Sequence, residues 1–179
     1  MDFRKALLVS TAATMAVCMA ASASAASSYR VPAQVSMVSV DAEQARLRAV
    51  DFQMAPIKSE ADLGTYLKTA GEGSPLMALS PGARRRFMQG LMFNENGLVG
   101  FGYEELAREL SASQAYRILA LFGAQRTTPL VHARVESDAD RVVATSSLLA
   151  RMRDDHAEFR CLGKHNCFDT PLFICMTGC

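Results

Sequence analysis

Residues 138–159, "DADRVVATSSLLARMRDDHAEF", decide how the rest of the chain is read. Val142, Leu149, Met152, His156 and Phe159 recur at helical spacing, and Thr145 completes the stripe. Apolar positions three and four residues apart over that length predict one long amphipathic helix, from about Asp138 to Phe159.

Working outward, shorter runs carry the same period and their own start signals. Asp41 with Gln44 is a capping pattern ahead of Leu47, Val50 and Met54, so a helix is expected over 41–52, ending before Pro56. Ser59 with Asp62 opens a second helix that carries Leu63, Tyr66 and Leu67 and stops at Gly71. Ser80-Pro81 opens a third, with Phe87, Met88, Leu91 and Met92 on one face and "NENG" as its end. Tyr103, Leu106 and Leu110 mark a fourth; Ser111 with Gln114 forms a capping box ahead of Ala115, Ile118, Leu119 and Phe122, which mark a fifth. "GLVGFG" (97–102) reads as a tight turn that pins Phe101 to the core, "PLVHARV" (129–135) fits strand or helix, and "VSMVSV" (35–40) fits a short strand. The expectation is an all-α fold, a small bundle of five or six helices with a disulfide-stapled, irregular C-terminal tail.

The N-terminus reads as an export signal. Arg4 and Lys5 precede the apolar "ALLVSTAATMAVCMAA", and "SASAASS" follows with cleavage expected after Ala25. A span of the bilayer needs about 20 predominantly apolar residues, and this stretch is diluted by Ser and Thr. Val17 before Cys18 does not suit a lipidation site, so Cys18 leaves with the signal. The expected organisation is a signal peptide over 1–25, a flexible leader or short strand over 26–40, a helical domain over 41–160 and a cysteine-rich tail over 161–179. Losing Arg4, Lys5 and Asp2 takes 19 basic and 18 acidic residues to 17 of each, a neutral chain with no electrostatic footprint for nucleic acid or an anionic membrane. No later segment is apolar enough to hold the chain in a membrane after cleavage.

"YEELARELSASQAYRILALFG" resembles a helix-turn-helix, with Ala107 in the small-residue position. It departs by placing Ser111 at the turn and Arg117 at the expected apolar position, and its open face has few cations for phosphate. Arg84, Arg85 and Arg86 fan around their helix instead of forming a patch. Gly100 and Gly102 lack the third glycine of a dinucleotide loop, since Glu105 stands there. The chain has no G-x-S-x-G or H-E-x-x-H, and of His132, His156 and His165 only His156 sits on an apolar stripe, where a buried imidazole could serve as a base. No catalytic residue and no cofactor is assigned.

The tail "CLGKHNCFDTPLFICMTGC" (161–179) concentrates Cys161, Cys167, Cys175 and Cys179. Their spacing lacks the paired knuckles of structural zinc sites and the two-residue gap of thioredoxin-like centres. In an oxidising compartment four clustered cysteines are expected to form two disulfides. Three connectivities are open, and loop entropy favours Cys161 pairing with Cys179 or Cys175, with Phe168, Leu172, Phe173 and Ile174 packed beneath the clasp. Cys179 could instead pair with another chain. "CMTGC" resembles the C-x-x-x-C motif of exported copper chaperones of the Sco type over five residues, without thioredoxin-like strands around it. Cys175 and Cys179 beside Met176, with His165 as a further donor, make a soft-ligand set suited to Cu(I), which is what that resemblance implies for the two cysteines.

The leading expectation is thus an exported, periplasmic or secreted helical protein that acts by binding a protein partner. A periplasmic metal-handling or thiol-redox protein is the alternative, and a hydrolase or toxin domain using His156 is the third.

Overall fold

Capping side chains set most of the helix starts. A computed structural model of the chain describes residues 33–145, 155–163 and 166–179. Ser59 Oγ accepts from the Asp62 amide at 3.1 Å and starts α2 (Glu60–Thr69). Ser80 caps α3 (Pro81–Gln89), whose first residue is the proline that donates no hydrogen bond there. Ser111 and Gln114 form the reciprocal capping box of α5 (Ala112–Ala120), directly after α4 (Glu104–Glu109). The α4–α5 pair, which resembles a helix-turn-helix in sequence, is a corner in the core: Leu106, Leu110, Ala115, Ile118 and Leu119 are buried on it. Two 3₁₀ turns, Pro75–Ala78 and Gln125–Thr127, and the short α6 (Thr128–Val131) and α7 (Asp138–Thr145) complete the helical part.

Helix α1 (Ala33–Met54) departs from expectation at both its start and its buried face. It begins upstream of Asp41, so residues 35–40 are helical and not a strand. The expected signal peptide over 1–25 and the first part of the expected leader lie outside the described residues. Val50 is exposed and Met54 is 77% exposed, whereas Asp51 is buried. The helix is therefore held by polar pins instead of an apolar stripe. Gln125 Nε2 donates to Asp51 Oδ1 at 2.8 Å, Arg126 pairs with the same carboxylate, and Arg48 Nη2 donates to the Leu98 carbonyl at 2.8 Å.

The all-α expectation is overturned by a four-stranded antiparallel sheet of order β1-β2-β4-β3. β1 (Met92–Asn94) and β2 (Gly97–Gly102) form a hairpin closed through Gly97 at φ 93°, a left-handed conformation suited to glycine. "NENG" is thus a hairpin turn, and α3 ends earlier, at Gln89. The predicted helix over 138–159 breaks into α7 and β3 (His156–Cys161), with Leu149 and Met152 outside the described residues. On α7 the buried side is Asp140 with the half-buried Val143, while Val142 is exposed. Most of the tail expected to be irregular is β4 (Cys167–Cys175), and the 41–160 region is helical only in part because β1, β2 and nearly all of β3 fall within it.

β2 is buried on both of its faces, and two bulges decide which side chain goes where. Phe93 pairs with Leu98 but Met92 with Gly100, so β2 carries one extra residue at Val99. Leu98 and Phe101 consequently both enter the helical core, while Val99 joins a second cluster with Cys161, Cys175 and Cys179. On β3 the register shifts between Ala157 and Phe159. Ala157 packs toward the helices and Phe159 toward the cystines, a switch of face that regular alternation would forbid.

Candidate functional site

The strand pair β3–β4 and the turn after it carry every cysteine of the tail. Cys161 is bonded to Cys179 and Cys167 to Cys175, with Cα separations of 5.7 and 5.9 Å, in the middle of the range that disulfides span. The pairing is nested, and of the two partners favoured for Cys161 it uses Cys179. Cys161, Cys175 and Cys179 are buried and Cys167 is half-buried. The Sγ atoms of the three buried cysteines lie within 4.8 Å of one another, so the two bridges are in near contact.

Hydrogen bonds hold this arrangement independently of the sulfurs. Thr177 donates from its amide (2.6 Å) and its hydroxyl (2.9 Å) to Asp155 Oδ1, just ahead of β3. Asn94 and Asn96 in the first hairpin both donate to the Gly178 carbonyl, and the Met176 amide donates to the Val99 carbonyl at 2.8 Å. At the other end, Leu162 N–H donates to Asn166 O at 2.9 Å and closes the β3–β4 hairpin, keeping Cys161 opposite Cys167. Burial raises the pKa of Asp155 against the pull of the Thr177 bonds.

Midway along the pair the backbone is strained. Glu158 (φ 68°) and Leu172 (φ 64°) both occupy the left-handed region, which side-chain-bearing residues adopt at a cost of about 1–3 kcal/mol each. The Glu158 carboxylate accepts from Tyr103 Oη and from the Leu172 amide at 3.0 Å, and the Tyr103 amide donates to Leu172 O at 2.9 Å. The Tyr103 hydroxyl and then the Leu172 amide hold the Glu158 carboxyl below its ordinary range. Burial first, and then Glu158, push the Tyr103 phenol up to about 12. Pro171, which has no amide to donate, sits in the bulged part of β4, where a ladder bond is already absent.

The apolar residues of the tail do not pack together as expected. Ile174 is fully buried, but Phe168 is 61% exposed and Leu162 59% exposed, both at the hairpin tip, and Leu172 is exposed further along β4. Arg160, opposite Phe168 in the ladder, places its guanidinium 5.2 Å from the centroid of the Phe173 ring.

The other sequence candidates lie apart. His156 is exposed on β3, edge-on to Phe159 at 6.0 Å, so it is not the buried imidazole expected of a base. His132 is exposed just past α6. Of the copper set, Cys175 and Cys179 belong to different bridges, Met176 is buried in the helical core and not in the cystine cluster, and His165 lies outside the described residues. Arg86 pairs with Glu105 at the mouth of an open cleft of about 190 Å³ that Pro171 and Phe173 also line; pockets for drug-sized ligands are about 300–1,000 Å³.

Asp155, Thr177, Asn94, Asn96 and the Tyr103–Glu158 pair were not singled out in sequence. One signal pointed toward them: "HAEFRC" alternates apolar and polar at every second position, the strand period, beneath its helical spacing. Among the described residues no helix is long and apolar enough to cross a membrane. Two disulfides in one short segment fit an extracellular or otherwise oxidising environment. Comparison of the chain with protein-family models, with curated proteins and with solved structures finds no match in any of the three.

Proposed function

We propose that this chain is an exported protein, periplasmic or secreted after loss of residues 1–25, that works by binding a protein partner through the tip of its β3–β4 hairpin. The observation that carries the reading is the exposure of Phe168 and Leu162 on a segment locked by two bridges. A large aromatic side chain held out on a rigid element loses little conformational freedom when it docks, and aromatic anchors dominate binding energy at interfaces. The neutral charge balance of the chain after residues 1–25 favours a protein surface over nucleic acid or an anionic membrane.

The test places a photo-crosslinking amino acid at position 168 in the full chain, in cells that export it, with position 85 on the exposed face of α3 as control. The reading expects a discrete protein adduct from 168 and none from 85. Once the partner is purified, Phe168→Ala is expected to weaken its binding by about thirtyfold, equivalent to about 2 kcal/mol. No discrete adduct from 168, or equal labelling from 85, refutes it.

A further inference from the structure

The two bridges are placed so that they can exchange partners, and we propose that they form a thiol-exchange site entered at Cys167 by a small thiol of the glutathione class, which starts the exchange and is returned at its end. Three observations carry this. Cys167 is the only half-buried member of the four; Cys161, Cys175 and Cys179 are 9%, 0% and 5% exposed, so an attacking thiolate reaches the cluster through Cys167. The leaving sulfur of that attack, Cys175 Sγ, lies within 4.8 Å of both sulfurs of the other bridge. Cys161 and Cys167 are direct partners in the β3–β4 ladder, and directly opposed residues of antiparallel strands have Cα atoms about 4.5–5.5 Å apart, inside the span of a disulfide.

The exchange closes as a cycle. A thiolate RS⁻ attacks Cys167 Sγ, forming a mixed disulfide and releasing the Cys175 thiolate. Cys175 attacks Cys179 Sγ, forming Cys175–Cys179 and releasing the Cys161 thiolate. Cys161 attacks Cys167 Sγ, forming Cys161–Cys167 and expelling RS⁻. Two disulfides are present at the start and two at the end, no net electrons move, and the thiol is regenerated. The product has sequential pairing in place of nested pairing. Its C-terminal turn is no longer tied covalently to β3, although the bonds from Thr177 to Asp155 and from Asn94 and Asn96 to Gly178 keep it in place during the exchange. Those bonds and the β3–β4 ladder are what keep both new sulfur pairs within reach while the old ones are broken.

Disulfide mapping tests the cycle on the full chain, since cleavage at Lys164, before Asp169 and after Met176 separates all four cysteines. The intact protein is exposed to a trace of reduced glutathione, quenched with acid and alkylated. The proposal expects glutathione first on Cys167, followed by peptides joined as Cys161–Cys167 and Cys175–Cys179, with no rise in total free thiol. It is overturned if Cys161–Cys179 opens first, or if the reaction stops at Cys167 mixed disulfide with Cys175 free. Cys167→Ser offers an independent reading without added thiol: the odd sulfur is expected to be shared among Cys161, Cys175 and Cys179. A single Cys161–Cys179 bridge with all free thiol on Cys175 contradicts the proposal. Should that variant not fold, the glutathione time course on the natural chain decides alone.

Discussion

Gly100 stands where the second strand is pressed between the first and the fourth. A Cβ there would lie 2.7 Å from Met92 Cε, 2.9 Å from the Ile174 carbonyl oxygen and 3.5 Å from Cys161 Cβ. Met92 is the far end of a flexible side chain and can turn aside. The Ile174 carbonyl belongs to the backbone of β4 where it pairs with β2, and it moves only if the ladder opens. Forcing a methyl group into a close-packed site costs about 1–3 kcal/mol. For a domain of this size that lowers Tm by roughly 2–4 °C per kcal/mol. Gly64, in α2, is the matched control because a Cβ there meets nothing within 4 Å, so alanine is expected to stabilise by about 0.5–1 kcal/mol through helix propensity. Urea and thermal unfolding of both variants, with the disulfides intact, measure the contrast. If Gly100→Ala falls within about 0.5 kcal/mol of the natural chain, the normal scatter of surface changes, then β2 is not held against β4 as described.

Four further outcomes follow from buried charge and covalent closure. Asp51→Ala leaves the Arg126 guanidinium, 14% exposed, without its carboxylate and is expected to cost about 3–5 kcal/mol in urea unfolding. Asp140 and Asp155 have opposite pH signatures. The Ser113 and Ser137 hydroxyls and the Ser113 amide hold the Asp140 carboxyl far below its ordinary range, so its contribution is present above the unfolded value of 3.8 and is lost as pH falls toward the folded one. Asp140→Asn is therefore less stable than the natural chain at neutral pH, and the gap narrows in acid. Burial raises Asp155, so its ionised form opposes folding at neutral pH, and Asp155→Asn gains on the natural chain as pH rises through the carboxylate range. Replacing Cys161 and Cys179 together by serine opens a bridge of sequence separation 18, and chain entropy gives a loss of about 3 kcal/mol, read from the urea midpoint.

The helix starts were legible because each is written in two or three adjacent residues. Ser59 with Asp62, Ser80 with Pro81 and Ser111 with Gln114 all cap helices. Asp41 with Gln44 misled because α1 is already running when it reaches them. The sheet was hidden for a different reason. In residues 156–161 the helical and strand periods overlap at Phe159, and what selects the strand is pairing with residues that follow a separate hairpin tip. "GLVGFG" hid likewise: its glycines read as a turn, whereas Gly100 is needed for the close approach of Ile174 and Met92 in the middle of a sheet. The Cys161–Cys179 bridge lay within reach because loop entropy favours the longer closures. The exposure of Phe168 was not, since a bulge decides which way that part of β4 faces.

The binding proposal and the exchange proposal both rest on β3 and β4 being a strand pair locked by nested bridges. Disulfide mapping of the natural chain, exported and purified without any added thiol and cleaved at Lys164, Asp169 and Met176, tests that directly. The account predicts peptides joined as Cys161 to Cys179 and Cys167 to Cys175, with no free thiol among the four. Peptides joined from the outset as Cys161 to Cys175 and Cys167 to Cys179, or four alkylatable thiols, would contradict it.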